Sequence, residues 1–139
     1  LIPHTGKRLL YGGYGHRTTV EAYSEIAQHI DAPIIALELV DERFYHLDTC
    51  FVSLTPDAVM ICKEAFTRAG VKLLEKMYKR VHCIPVDEAV DFFALNAHAM
   101  YNPTSGHKSV VLQSGSTYTL GILKKEGFEV SEVDTTEYM

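Results

Sequence analysis

The run Phe44-Tyr45-His46-Leu47-Asp48-Thr49-Cys50-Phe51 sets an imidazole and a carboxylate two residues apart. Aromatic and β-branched residues dominate it, so the sequence predicts a strand. Alternate strand residues share a face, which puts His46, Asp48 and Cys50 on one side and Leu47, Thr49 and Phe51 on the other. Two side chains about 6.6 Å apart on one face can both reach a single small substrate. A strand buried on both faces has no structural use for such a pair, so the pattern points to chemistry. Cys50 would lie about 13 Å from His46 along such a strand. A thiol–imidazole pair needs roughly 3 Å, so Cys50 is not expected to be a nucleophile.

The other titratable residues offer less. Cysteines occur only at 50, 62 and 83, an odd number in apolar runs with no C-x-x-C, so neither a disulfide framework nor a zinc site is expected. Small buried hydrophobes in a reducing compartment, the cytoplasm, are the natural reading. His29, His82, His98 and His107 share no metal-ligand spacing, and His16 is left without a role. No metal site is expected. Neither G-x-x-x-x-G-K-[ST] nor G-x-G-x-x-G is present, so no nucleotide cofactor is expected either.

The elements that must hold these residues follow from periodicity and turn chemistry. The chain has 139 residues, 47% hydrophobic and 22% charged, enough for one domain with a core. A net charge of −5 argues against a nucleic-acid partner. No apolar run reaches the roughly 18 residues that would span a membrane, and no signal peptide is visible. The opening at Leu1, directly into strand-like sequence, suggests a fragment or processed product.

Residues 8–14 read as a strand running into a Gly-rich turn. Thr18-x-x-Glu21 has the form of a capping box ahead of a helix over 19–30. Strands are expected over 34–40, through the His46 run, and over 58–62 after the Pro56-Asp57 turn. A helix over 67–79 follows, then a strand over 81–86, a short helix capped by Asp87, and strands over 95–101 and 110–112. Ser116 should cap a helix that stops at Gly127, and 128–133 forms the last strand. Helices thus recur about every 48 residues, near 19, 67 and 116, in the order β-α-β, then β-β-α-β, then β-β-α-β, which suggests repeated units in a propeller-like array. An ordinary α/β sandwich is the alternative.

Three stretches carry a resemblance. His46-Leu47-Asp48-Thr49 resembles the His-Leu-Asp-Thr motif of arginine deiminases. Gly12-Gly13-Tyr14-Gly15-His16-Arg17-Thr18 resembles the Gly-rich Arg-Thr turn of dimethylarginine dimethylaminohydrolases and amidinotransferase-like proteins. The segment 85–97, with Asp87, Glu88, Ala89 and Asn96, is similar to a helix-to-strand stretch of the same guanidine-modifying (pentein) superfamily. The resemblance implies a five-bladed α/β propeller of ββαβ units, about three of them here, with residues 1–139 as one domain of a larger propeller. It also implies a nucleophilic cysteine near the C-terminus and an acidic guanidine-binding motif upstream, and this sequence shows neither.

The implied activity is cofactor-free amidinohydrolysis of arginine or a methylated arginine. His46 would be the general acid–base, worth about 10²–10⁴-fold in rate. A hydrogen-bonded core histidine is the plain alternative. Asp48 would accept the guanidinium fork, unless it is a solvated turn residue. Arg17, behind two glycines, could clamp a substrate carboxylate, or simply be exposed at a helix start. Amidino transfer, or a non-catalytic propeller that binds the ribosome, are the other readings. The expected partners are a small guanidine substrate and the remainder of the propeller, with a homo-oligomer left open.

Overall fold

The computed structural model describes residues 1–138, so Met139 lies outside the described residues. Three three-stranded sheets follow one another along the chain. The first holds β1 (Ile2–Pro3), β2 (Leu10–Tyr14) and β3 (Ile34–Glu38), with α1 (Glu21–Ile26) between the last two. The second holds β4 (Phe51–Thr55), β5 (Ala58–Ile61) and β6 (Arg80–Cys83), with α2 (Arg68–Met77). A short helix, α3 (Val86–Asp91), leads to the third: β7 (His98–Tyr101), β8 (Lys108–Gln113), α4 (Thr117–Lys125) and β9 (Glu129–Val133). In every sheet the first pair is antiparallel and the second parallel. The expected ββαβ unit is therefore present three times, and the sandwich alternative gives way to three separate small sheets.

Packing holds the units together. β4 and β5 are buried at every position but no alternation marks them, because both faces are covered. Each fully buried large apolar side chain contributes about 1.5–3 kcal/mol, against about 0–1 for a surface ion pair. Phe51, Leu54, Met60 and Ile61 thus outweigh any exposed salt bridge. β4 also packs against β7 across the unit boundary. Between the first two units, the His4 ring stacks on Tyr78 at 4.7 Å. Thr5 donates its backbone N–H to Ser53 Oγ at 3.0 Å and its hydroxyl to the Ser53 carbonyl at 3.0 Å.

Several local expectations need correction. The His46 run is not a strand: Leu47–Thr49 forms a 3-10 turn, and β4 begins only at Phe51. The Thr49 hydroxyl donates to the His46 carbonyl at 2.7 Å and the Thr49 N–H at 3.2 Å, while the Cys50 N–H reaches Leu47 O at 3.1 Å. A hydroxyl that offers the backbone a local partner competes with the ladder, and here it wins.

The capping box does not form either. Val20 precedes α1 with no side-chain cap, and the Thr18 carbonyl accepts the Gly15 N–H at 2.9 Å instead. Ser116 likewise makes no cap hydrogen bond. The start of α4 is held by Glu88, whose carboxylate accepts the N–H groups of Tyr118 at 2.6 Å and Thr119 at 2.8 Å. The strand expected over 81–86 stops at Cys83 because Pro85 opens α3. The strand expected over 95–101 begins only at His98.

Candidate active site

The Gly-rich turn and the 3-10 turn are brought together by small residues. A side chain at Gly12 would overlap the Tyr23 ring. A Cβ at Gly13 would sit 2.9 Å from Leu39 Cδ1 and 3.0 Å from Leu47 Cβ. Leu47 is the buried residue between His46 and Asp48. Tyr23 donates its hydroxyl to the Gly13 carbonyl, tying α1 to the same turn. The two glycines ahead of Arg17, Gly13 and Gly15, are expected from the sequence to allow close approach of a ligand; in the structure Gly12 and Gly13 first serve to admit the Tyr23 ring and Leu47.

With Leu47 anchored inward, His46 and Asp48 are exposed on either side of it. They line one cleft of about 240 Å³ together with Leu1, Ile2, Gly13, Thr18 and Tyr23. The shared exposure expected of a strand thus arises in a turn. Cys50 leaves that face and is fully buried. Its Sγ lies 3.9 Å from the His46 carbonyl, so the strand distance of about 13 Å does not describe it. Burial excludes it instead. Desolvation pushes the Cys50 thiol well up, with the Cys62 and Asp48 charges adding to the effect. Burial, then the Glu64 carboxylate, pushes Cys62 up to about 12. Burial raises Cys83 as well. A nucleophile needs its thiolate, so none of the three thiols is activated as it stands.

Arg17 does not line the 240 Å³ cleft. It is exposed, and its guanidinium carbon lies 5.4 Å from the centroid of the Tyr45 ring. That ring meets the His46 imidazole edge-on, 5.1 Å between centroids. Arg17 therefore reaches the site through a cation–π contact and an aromatic contact. Tyr45 was missed as a site residue, and only its place beside His46 could have marked it.

Asn96 was noted in the sequence as part of a weak motif, and it now has a contact. Its Nδ2 donates to the Asp48 carbonyl and to Asp48 Oδ2, both at 3.3 Å. Beyond it opens a second cleft of about 390 Å³, lined by Asp48, Asn96, Thr5, Ser53 and His98 among others. Among the described residues, no group of three or more His, Cys, Asp or Glu side chains is placed to hold a metal ion. No helix there is long and apolar enough to cross a membrane.

Comparison with known proteins follows the same lines. No family model matches the chain. The chain is 36% identical over 135 residues to the N(G),N(G)-dimethylarginine dimethylaminohydrolase of Mycobacterium tuberculosis, covering 96% of this chain and 42% of that protein. It is 31% identical over 134 residues to the bifunctional arginine dihydrolase/ornithine cyclodeaminase ArgZ of Synechocystis, covering 95% of this chain and 18% of ArgZ. The apo structure of ArgZ superimposes with a TM-score of 0.86 at 29% identity, over 97% of this chain and 21% of that one.

The chain belongs to the guanidine-modifying, or pentein, superfamily.

Its mixed α/β fold with three small sheets matches that of ArgZ. The N-terminal domain of ArgZ has also been solved covalently bound to a reaction intermediate, and it matches with a TM-score of 0.79 over 92% of this chain. An amidinotransferase from Microseira wollei, 17% identical, shares the fold with a TM-score of 0.71. This pentein chain spans less than half the length of the curated relatives named here.

Proposed function

We propose that this chain carries the acid–base and part of the substrate-binding wall of an amidinohydrolase acting on arginine or a methylated arginine. The observation that carries the reading is the pairing of exposed His46 and Asp48 on one cleft, with buried Leu47 wedged between them. The similarity to an arginine dihydrolase and a dimethylarginine dimethylaminohydrolase supports the substrate class.

In this reading Asp48 accepts hydrogen bonds from the planar guanidinium, whose donor fork matches a carboxylate. A thiolate attacks the guanidine carbon and forms the C–S bond. His46 gives a proton to the departing amine as the C–N bond breaks. A water then loses a proton to His46 and attacks the same carbon, and the C–S bond breaks to release the thiolate and a citrulline-type product. Arg17 meets the substrate carboxylate at the rim. Cys50 and Cys62 are fully buried, and the thiol of exposed Cys83 is also pushed up, so all three are poor sources of the thiolate and the nucleophile belongs to a cysteine outside residues 1–139. The three ββαβ units are consecutive blades of an α/β propeller, and residues 1–139 form one domain of it. Three free thiols suit a reducing compartment such as the cytoplasm.

The protein containing these residues should release ammonia from arginine, or an alkylamine from methylated arginines, with a citrulline-type product. Transfer of the amidino group to an added amine would instead make it a transferase. No release from any of these guanidines would defeat the proposal.

A further inference from the structure

We propose that Asn96 is a positioning residue that fixes the Asp48 carboxylate toward the cleft, so that a guanidinium meets it already oriented. The inference rests on the reading of Asp48 as the guanidine-binding carboxylate. An exposed aspartate in a short turn is free to change rotamer, and ordering it on binding costs affinity. Asn96 Nδ2 bridges two acceptors of the same residue, the Asp48 carbonyl and Oδ2, each at 3.3 Å. A donor held against both the main chain and the side chain of one residue defines the first side-chain torsion of that residue. Among the described residues nothing donates to the second carboxylate oxygen of Asp48, which stays available to a ligand.

Asn96 is itself well anchored. Its N–H donates to Phe93 O at 2.8 Å, the Ala94 N–H donates to the Glu88 carbonyl at 3.2 Å, and Ala94 and Leu95 are fully buried. The two partners stand 48 residues apart, each just ahead of the first strand of its unit. The contact therefore joins equivalent entry turns of neighbouring units. Asn96 also lines a cleft of about 550 Å³ with Tyr45 and His98, so it stands where the clefts meet.

Asn96 is exposed, so N96A and N96D should fold. Two readouts test the proposal. The first is the Hα–Hβ scalar couplings of Asp48 by NMR: one rotamer in the wild type, averaged values in N96A. The second is turnover of arginine or a methylated arginine: KM about tenfold higher in N96A, with kcat within about twofold, as loss of a hydrogen bond to a charged group that acts on binding predicts. N96D, which keeps the size but turns the donor into an acceptor, should raise KM at least as much. Unchanged couplings in N96A overturn the proposal, and so do averaged couplings with an unchanged KM. A wild type without turnover defeats the guanidine reading alone, and the couplings then decide the role of Asn96 by themselves.

Discussion

Glu88 and Asp48 are carboxylates with opposite uses. Glu88 is 7% exposed, and its two oxygens accept three hydrogen bonds, from the N–H groups of Tyr118 and Thr119 and from the Thr119 hydroxyl at 2.7 Å. Three of its roughly four acceptor positions are filled from inside the protein, and the start of α4 depends on it. Asp48 is exposed and takes one weak side-chain contact from Asn96. A buried charge must have its partners inside the protein, whereas a charge at a cleft can keep capacity for a partner that arrives. The difference teaches that acceptor capacity already filled, more than residue type, separates structure from function in this chain.

The largest effect should come from the filled carboxylate. Glu88→Ala leaves two backbone N–H groups and a buried hydroxyl without their acceptor. It should lower unfolding free energy by about 3 kcal/mol in a denaturant titration. A cost near that of an ordinary surface substitution would erase the contrast.

Glu126 is an intermediate case. Hydrogen bonds from Arg80 at 2.7 and 2.9 Å, and one shared with His82 at 2.7 Å, hold its carboxyl down at about 2. Its folded-state pKa is below the unfolded one, so its contribution is complete above about pH 4.5 and is lost as pH falls toward 2. Glu126→Gln should cost about 1 kcal/mol at neutral pH and flatten the stability curve through that acid window. An unchanged curve would remove Glu126 from the acid response.

The smallest effect on stability should come from the open carboxylate. Asp48→Asn should shift unfolding free energy by less than about 0.5 kcal/mol, as for most surface changes. In the same protein it should weaken arginine binding, read by calorimetry. A large loss of stability would make Asp48 structural after all.

Much of this was legible in the sequence. The helix period of roughly 48 residues gave the three ββαβ units, because each unit must bury its own helix face. His46 and Asp48 do line one cleft, but not as the strand face that the sequence predicts. Propensity favoured a strand, and the Thr49 hydroxyl folded the run into a turn instead. The capping errors share a cause. Thr18, Ser116 and Glu21 look like caps in one dimension, but α4 takes its cap from Glu88, 31 residues from Thr119. Tyr45 and Asn96 were not legible as site residues. The Asn96 contact depends on how units pack and the Tyr45 contacts on the local turn at His46, neither of which spacing along one element encodes.

The central claim is that His46 moves protons at a guanidine carbon. The most direct test is kcat and KM for arginine and methylated arginines in the protein carrying these residues, comparing wild type with His46→Ala. Exposed His46 adds little to folding, so the melting temperature should hold. The kcat should fall by about 10²–10⁴-fold with KM changed far less. A variant that keeps its kcat would contradict the account, and a loss confined to KM would turn His46 into a binding residue.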